Sequence, residues 1–303
     1  MIYLKKRETN TSLKCDTGRI KASNRGGIKV LTINGKPFGN KHFPNRESVY
    51  EAVELNERFN VIQLNWDTNE DIVHLMMAVQ YIKDKEPHSY IELRMPYIPY
   101  SAMDREIGDQ LDSCKYFSNI VSGLGVSSVH VYDPHSRKAT NLGMTIEMNI
   151  QPIVDEVIEE VKPDLIYLPD KGAYDRYNEL VDFHDIPMFH GYKHRDLADK
   201  GKLSPEMQVD FCGLKPDDIK GKRVLIVDDI CRKGGTAYYA AKNLHSLGVA
   251  EVYLYITHCE DVIEQGEILK NDTIKGVYTT DSEFQVAGVA AKHDKVKIIP
   301  LTW

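Results

Sequence analysis

One stretch constrains the fold of this chain more than any other: Arg223-Val224-Leu225-Ile226-Val227-Asp228-Asp229-Ile230-Cys231-Arg232-Lys233-Gly234-Gly235-Thr236. Val224 to Val227 are apolar without alternation, which predicts a central parallel strand covered on both faces. Two acids follow at its carboxyl end, then a glycine turn, then a helical stretch from about Thr236 to Leu247 that stops at Gly248. A strand feeding a helix through a short turn is the unit of an open α/β sheet. Such sheets take their ligands outside the carboxyl ends of their strands.

The same alternation runs through the rest of the chain. Strands are predicted at 28–33, 61–66, 90–95, 129–133, 165–168 and 252–256. Asp71, Ile72, Leu75, Met76, Val79 and Ile82 repeat with helical period. So do Phe117, Ile120, Val121 and Leu124, and so do Ile153, Val154, Val157, Ile158 and Val161 ahead of Pro163. With 303 residues, two α/β domains are expected, with a seam between Pro134 and Gln151. Residues 191–205 carry Lys193, His194, Arg195, Lys200 and Lys202 without periodicity and read as a long loop, either a mobile surface segment or a catalytic lid. The tail beyond His258 carries no clear pattern.

Lys and Arg number 38 against 45 Asp and Glu, a formal charge of −7, which argues against a broad nucleic-acid surface. No apolar run approaches the roughly 20 residues that span a bilayer, and the first residues lack the pattern of a secretory signal. The five cysteines are widely spaced, without a CxxC pair, as expected for reduced thiols in the cytoplasm.

The glycine turn has the chemistry of a phosphate cradle. Gly234 and Gly235 let the backbone approach an anion, and the free amides of a helix start point at it. Thr236 offers a hydroxyl donor and a helix cap. Asp228 and Asp229 suit the hydroxyls of a ribose, because carboxylates accept from O–H donors. A solvated turn with a capping Thr would use some of the same residues, but the full string is far more specific. It contains neither GxxxxGK[ST] nor GxGxxG.

This string resembles the phosphoribosyl diphosphate (PRPP) motif of type I phosphoribosyltransferase folds. The chain is similar, in order from about Phe43 to His258, to the ribose-phosphate pyrophosphokinase (PRPP synthetase) family. The resemblance implies two tandem type I phosphoribosyltransferase-like domains, each a mainly parallel sheet flanked by helices: 1–145 on the nucleotide side and 146–303 with the ribose-phosphate and catalytic loops. Phe43-Pro44-Asn45-Arg46-Glu47 resembles the adenine-binding loop, with Asn45 in place of an acid. Read alone, it is equally an ordinary surface turn. Met95-Pro96-Tyr97-Ile98-Pro99-Tyr100-Ser101-Ala102-Met103-Asp104-Arg105 resembles the family's Pro-Tyr-x-Pro-Tyr…Asp-Arg stretch, which has Arg-Gln at Ala102-Met103, leaving Arg105 as a triphosphate contact or a surface ion pair. Ser128 to Ser136 resembles the family strand ending in Asp-x-His-Ser, whose histidine, His135 here, helps hold magnesium and triphosphate. Leu168-Pro169-Asp170-Lys171-Gly172-Ala173 resembles a Pro-Asp-x-Gly-Gly loop whose acid, Asp170, is associated with a metal. Lys193-His194-Arg195 matches the Lys-x-Arg of the family's flexible catalytic loop.

The implied function is a Mg2+-dependent transfer of the β,γ-diphosphoryl group of ATP to the anomeric hydroxyl of ribose 5-phosphate, giving PRPP and AMP. Lys193, Arg195 and His135 stabilise charge. Residues 228, 229 and 232–236 bind the acceptor, and Phe43, Asn45, Glu47 and Arg105 bind the nucleotide. His135 and Asp170 bind the metal. Family members carry an acid and a Thr where this chain has Arg232 and Lys233. The extra positive charge also suits a 5′-extended acceptor such as ADP-ribose, which would serve NAD salvage. A phosphoribosyltransferase and a non-catalytic regulatory paralogue are the other readings. A homo-oligomer, dimer or hexamer, is implied by the family. The hexamer is less expected, because the terminal helix usual in the family has no counterpart after Trp303.

Overall fold

The computed structural model describes residues 31–39, 41–136, 139–192, 195–196, 202–203, 208–283 and 286–303. The first part runs β1 (Leu31–Ile33), β2 (Lys36–Pro37), β3 (Lys41–His42), β4 (Ser48–Val49), β5 (Phe59–Leu64), α1 (Asp71–Lys85), β6 (Tyr90–Arg94), α2 (Ser113–Gly123), β7 (Ser128–Tyr132) and β8 (Thr145–Met148). The second runs α3 (Gln151–Val161), β9 (Leu165–Leu168), α4 (Lys171–Leu180), β10 (Met188–Tyr192), β11 (Arg195–Asp196), β12 (Lys202–Leu203) and β13 (Gln208–Asp210). It continues through β14 (Arg223–Cys231), α5 (Gly235–Ser246), β15 (Glu251–Cys259), a 3-10 turn (Asp261–Gln265), β16 (Val277–Thr280), α6 (Val286–Ala290) and β17 (Val296–Ile299).

Two mainly parallel sheets result. The first has the order β2-β1-β5-β6-β7-β8, with β5 to β8 parallel and β1 and β2 antiparallel at one edge. The chain leaves this sheet at Met148. The second has the order β13-β10-β9-β14-β15-β16-β17, parallel except for β13.

Side-chain alternation explains why the second sheet is covered twice. On β14, Val224 and Ile226 join one core with Ala237, Ala240, Ala241 and Leu244 of α5. Leu225 and Val227 join the opposite core with Val154 and Val157 of α3 and Tyr177 of α4. A period of two on a strand sends neighbours to opposite faces, so an unbroken apolar run is what a doubly covered strand requires. Each such residue, fully buried, contributes about 1.5–3 kcal/mol relative to exposure. In the first part, Leu75, Ala78, Val79 and Ile82 put one face of α1 into a separate core. Pro152 lies in the first turn of α3, and Lys162 ends that helix in the left-handed region at φ 49° ahead of Pro163.

Several elements differ from the sequence-based expectation. The strand expected at 224–227 runs nine residues, through both acids to Cys231. Gly191 and Tyr192 are not loop: they end β10 and pair with Val209 and Gln208 of β13. A short strand with glycine in it has too little apolar repeat to be read locally. The tail beyond His258 supplies two further parallel strands, β16 and β17. Helix α4 also escaped, since only Ala173, Tyr177 and Leu180 carry its apolar spacing.

Candidate functional site

In the second sheet the chain moves outward from β9 to β10 on one side and from β14 to β15 on the other. The carboxyl ends of β9 and β14 therefore flank the point where strand order reverses, the ligand crevice of open α/β sheets. Ile226 pairs with Tyr167, so the parallel register brings Asp170 and Asp228 to the same sheet edge. Both offer hard oxygen donors, the class magnesium takes together with water and substrate phosphates. Asp170 also caps α4, accepting from the Ala173 amide at 2.9 Å.

The phosphate-loop geometry follows from glycine. Gly234 is the N-cap of α5, in the left-handed region at φ 75°. A Cβ there would also meet Ile268 Cδ1 at 2.2 Å, so backbone conformation and space both demand glycine. The helix starts one residue earlier than expected, and no side chain caps it. Thr236 is thus inside the first turn and does not cap. The Gly235, Thr236 and Ala237 amides have no acceptor within the helix and remain available to an anion. Arg232 donates from Nε to Glu260 Oε1 at 3.0 Å, and Lys233 is exposed. A residue unreachable from the motif supports this loop: a Cβ on Gly266 would lie 1.8 Å from the Lys233 carbonyl oxygen.

The second acid is committed elsewhere. Asp229 is 4% exposed. Its Oδ2 lies 2.5 Å from His135 Nδ1 and its Oδ1 lies 3.3 Å from Arg176 Nη2. Arg176 also lies 3.7 Å from Asp133 Oδ1 and donates to the carbonyls of Pro134 and His135. Asp133 Oδ2 accepts from Tyr177 and from Thr257, each at 2.5 Å. Two buried carboxylates, one just after β7 and one on β14, are therefore bridged by the Arg176 guanidinium, and the His135 imidazole pairs with Asp229. His258 extends the junction, with Nε2 3.0 Å from the Tyr132 carbonyl.

The charges explain the titration. Burial opposes the charge on Asp229, but Arg176 and His135 outweigh it and hold the carboxyl well below its usual range. The Asp229 hydrogen bond raises the His135 pKa against the lowering effect of burial. Burial likewise opposes the Arg176 charge, yet Asp133, Tyr177 and Asp229 raise its pKa well above the ordinary value. Protonated His135 makes the cluster neutral, two acids against two cations. With Nδ1 on Asp229, any metal contact by His135 must use Nε2.

Arg105 donates from Nε to the buried Asp104 at 2.9 Å and is otherwise two-thirds exposed. Burial raises the Asp104 pKa, but the Arg105 bond and the charges of Arg105 and His135 prevail and lower it. Phe43, Asn45 and Glu47 sit on the β3–β4 hairpin, a two-stranded sheet of its own. Asn45 donates to Glu47 Oε2 at 2.8 Å, and the Phe43 ring is exposed. Lys193 lies outside the described residues. Arg195 opens β11, which pairs with β12 through Arg195 and Leu203.

Sequence reading missed Arg176, Tyr177, Thr257 and Gly266. The Ala173–Tyr177–Leu180 spacing would have revealed α4 and put Arg176 at its inner margin. Nothing local marks Gly266. Among the described residues no helix is long and apolar enough to cross a membrane.

The model of the phosphoribosyl transferase domain matches residues 138–295 of the chain. A ribose-phosphate pyrophosphokinase of Thermococcus kodakarensis is 28% identical over 236 residues, covering 77% of this chain and 79% of that protein. One from Saccharolobus solfataricus is 26% identical over 262 residues, covering 84% and 87%. The crystal structure of phosphoribosylpyrophosphate synthetase from Mycobacterium smegmatis superimposes with a TM-score of 0.64 at 18% identity, covering 90% of this chain and 87% of that one, and shows the same fold. With the cradle at the strand-order reversal and the order of motifs along the chain, these matches make the protein a divergent member of the ribose-phosphate pyrophosphokinase family, built on the phosphoribosyl transferase domain.

Proposed function

We propose that this chain is an enzyme that transfers the β,γ-diphosphoryl group of ATP to the anomeric hydroxyl of ribose 5-phosphate, releasing AMP and PRPP. The observation that carries the reading is the α5 start, where a left-handed Gly234 leaves three amides facing outward beside Asp228. The 5′-phosphate binds those amides with Thr236 and Lys233, and Asp228 accepts from the ribose hydroxyls. Asp229 acts through His135, accepting from Nδ1 and so orienting the imidazole. The anomeric oxygen attacks the β-phosphorus, the bond from that phosphorus to the α–β bridging oxygen breaks, and AMP leaves with the electron pair. The hydroxyl proton passes to water. Asp170 and Asp228, with neutral His135 through Nε2, would hold magnesium, which would supply charge neutralisation on the triphosphate.

Phe43, Asn45, Glu47 and Arg105 receive the nucleotide. Lys193 and Arg195 neutralise the charge that moves during transfer. Replacing either by Ala is expected to cut turnover about a hundredfold or more, and near-normal turnover in both variants removes them from the mechanism. The division of labour is a nucleotide side in the first domain, which extends past the expected boundary at 145 to the end of β8 at Met148, and an acceptor side in the second. We place the protein in the cytoplasm as a homo-oligomer, its exposed Phe43 hairpin suited to a subunit boundary.

A second acceptor has its own observation. A cleft of about 270 Å³ beside Arg232 is lined by Trp66, Tyr97, Tyr100, Met103, Glu260 and Glu283. Its aromatic rings suit a base, part of the extension that ADP-ribose has and ribose 5-phosphate lacks, although Arg232 is paired there with Glu260. Incubation with ATP and Mg2+ plus each acceptor, followed by AMP release and 31P spectra, tests both. AMP with a diphosphorylated ribose 5-phosphate supports the first reading, and selective turnover of ADP-ribose replaces it with the second. No AMP with either acceptor overturns both. Base-dependent diphosphate release from PRPP would instead identify a phosphoribosyltransferase, and sugar-phosphate binding without turnover a regulatory protein.

A further inference from the structure

At the far edge of the second sheet, His190 of β10 and Asp210 of β13 pair directly across the antiparallel ladder, which places both side chains on one face. Cys212 follows two residues later with φ 50°, a left-handed conformation that non-glycine residues rarely adopt. One ligand atom from each of the three lies within 4.8 Å of the others.

The hydrogen bonds orient these atoms. His190 is 3% exposed, and its Nδ1 lies 3.1 Å from the Gly191 carbonyl. A carbonyl only accepts, so Nδ1 carries the proton and donates. Nε2 then faces Asp210 Oδ2 at 3.9 Å. In a neutral imidazole two lone pairs confront each other there, an arrangement that a cation between them relieves. A ring nitrogen whose partner nitrogen donates to a backbone carbonyl is the usual geometry of a metal-bound histidine. Asp210 is steadied by the Cys212 amide at 2.9 Å and by the Tyr192 hydroxyl at 3.0 Å. The Tyr174 ring of α4 packs on His190 with centroids 5.1 Å apart.

We propose that His190, Asp210 and Cys212 form a binding site for a divalent cation of the zinc class, with water in the fourth position. One nitrogen, one oxygen and one sulfur donor suit zinc, at about 2.0–2.3 Å per bond. The sulfur excludes magnesium, which takes oxygen ligands. The bound ion ties β10 to β13 and anchors the edge of the sheet. The site shares no residue with the phosphate loop and stands whether or not the proposed reaction does.

Cobalt tests it on the purified full-length chain after chelator treatment. Co2+ is expected to produce a near-ultraviolet thiolate-to-cobalt band and tetrahedral visible bands that saturate at one equivalent and disappear on adding Zn2+. Cys212→Ser abolishes the near-ultraviolet band and weakens Zn2+ binding more than about tenfold in competition with a chromophoric chelator, whereas Cys15→Ser leaves both unchanged. Because Cys212 is exposed, its variant should retain the wild-type melting curve without metal. Absence of the thiolate band in the wild type, or its persistence in Cys212→Ser, overturns the proposal.

Discussion

Gly266 shows how a single hydrogen atom in place of a methyl group can hold a binding loop. Its backbone is ordinary, with φ −83°, so conformation does not demand glycine. The demand comes from the Lys233 carbonyl, which a Cβ would meet at 1.8 Å. Gly266→Ala must displace the loop or the 3-10 turn, and overpacking of this kind costs about 1–3 kcal/mol. The expected result is a raised KM for the sugar phosphate with a smaller change in KM for ATP, read by steady-state kinetics. Glu283 makes a second case. Burial, then the charges of Glu260 and Asp261, push its pKa up to about 8 despite Arg232. Such an acid binds its proton more tightly folded than unfolded. Its cost is therefore absent below about pH 4, grows as pH rises, and is complete above about 8. Glu283→Gln should raise Tm at pH 8 and leave it unchanged at pH 4, as thermal melts at both values would show.

Helix α4 carries the structural burden at the scale of elements. It is only ten residues long, yet Asp170 caps its start and Arg176 and Tyr177 reach Asp133 and Asp229. The guanidinium also lies 4.7 Å from the centre of the Tyr177 ring. Removing it strands two buried carboxylates. Arg176→Ala is expected to destabilise the protein by about 3–5 kcal/mol in urea titration. Combining it with Asp133→Asn should recover part of that loss, because the two residues share one network. Helices α1, α3 and α5 were legible because their apolar faces repeat over three turns. Helix α4 was not, because charge pairing does what apolar contact does in the others.

The whole molecule is joined where β7 ends and β14 continues. Asp133 and His135 come from the first sheet's side and Asp229 from the second; both carboxylates are buried, while His135 keeps about one third of its side chain exposed. Its stability contribution depends on pH from both directions. The His135 pKa is raised, so its share is full below about 6.5 and is lost as pH rises through the folded value. The Asp229 pKa is lowered, so its share is full above about 3.9 and is lost as pH falls through the folded value. The stability difference between wild type and His135→Gln should therefore be largest between about pH 4 and 6.5 and shrink at alkaline pH. Denaturant titrations across that range test the sign, and a difference that grows toward pH 9 would contradict the assigned pairing.

The sequence by itself determined the α/β class, the central strand, the glycine turn and the order of the acids and bases along the chain. These are local matters: apolar periodicity and the φ of one glycine are encoded within a few residues. Only the tertiary structure decided what each polar group faces. Asp228 and Asp229 are adjacent in sequence, but strand alternation sends Asp229 into an ion-pair cluster with His135 and Arg176, residues brought from distant parts of the chain. The support of Gly266 for Lys233 and the meeting of His190 with Cys212 arise in the same way. Burial and Coulomb interactions act through space, and no local pattern records which distant charge will arrive.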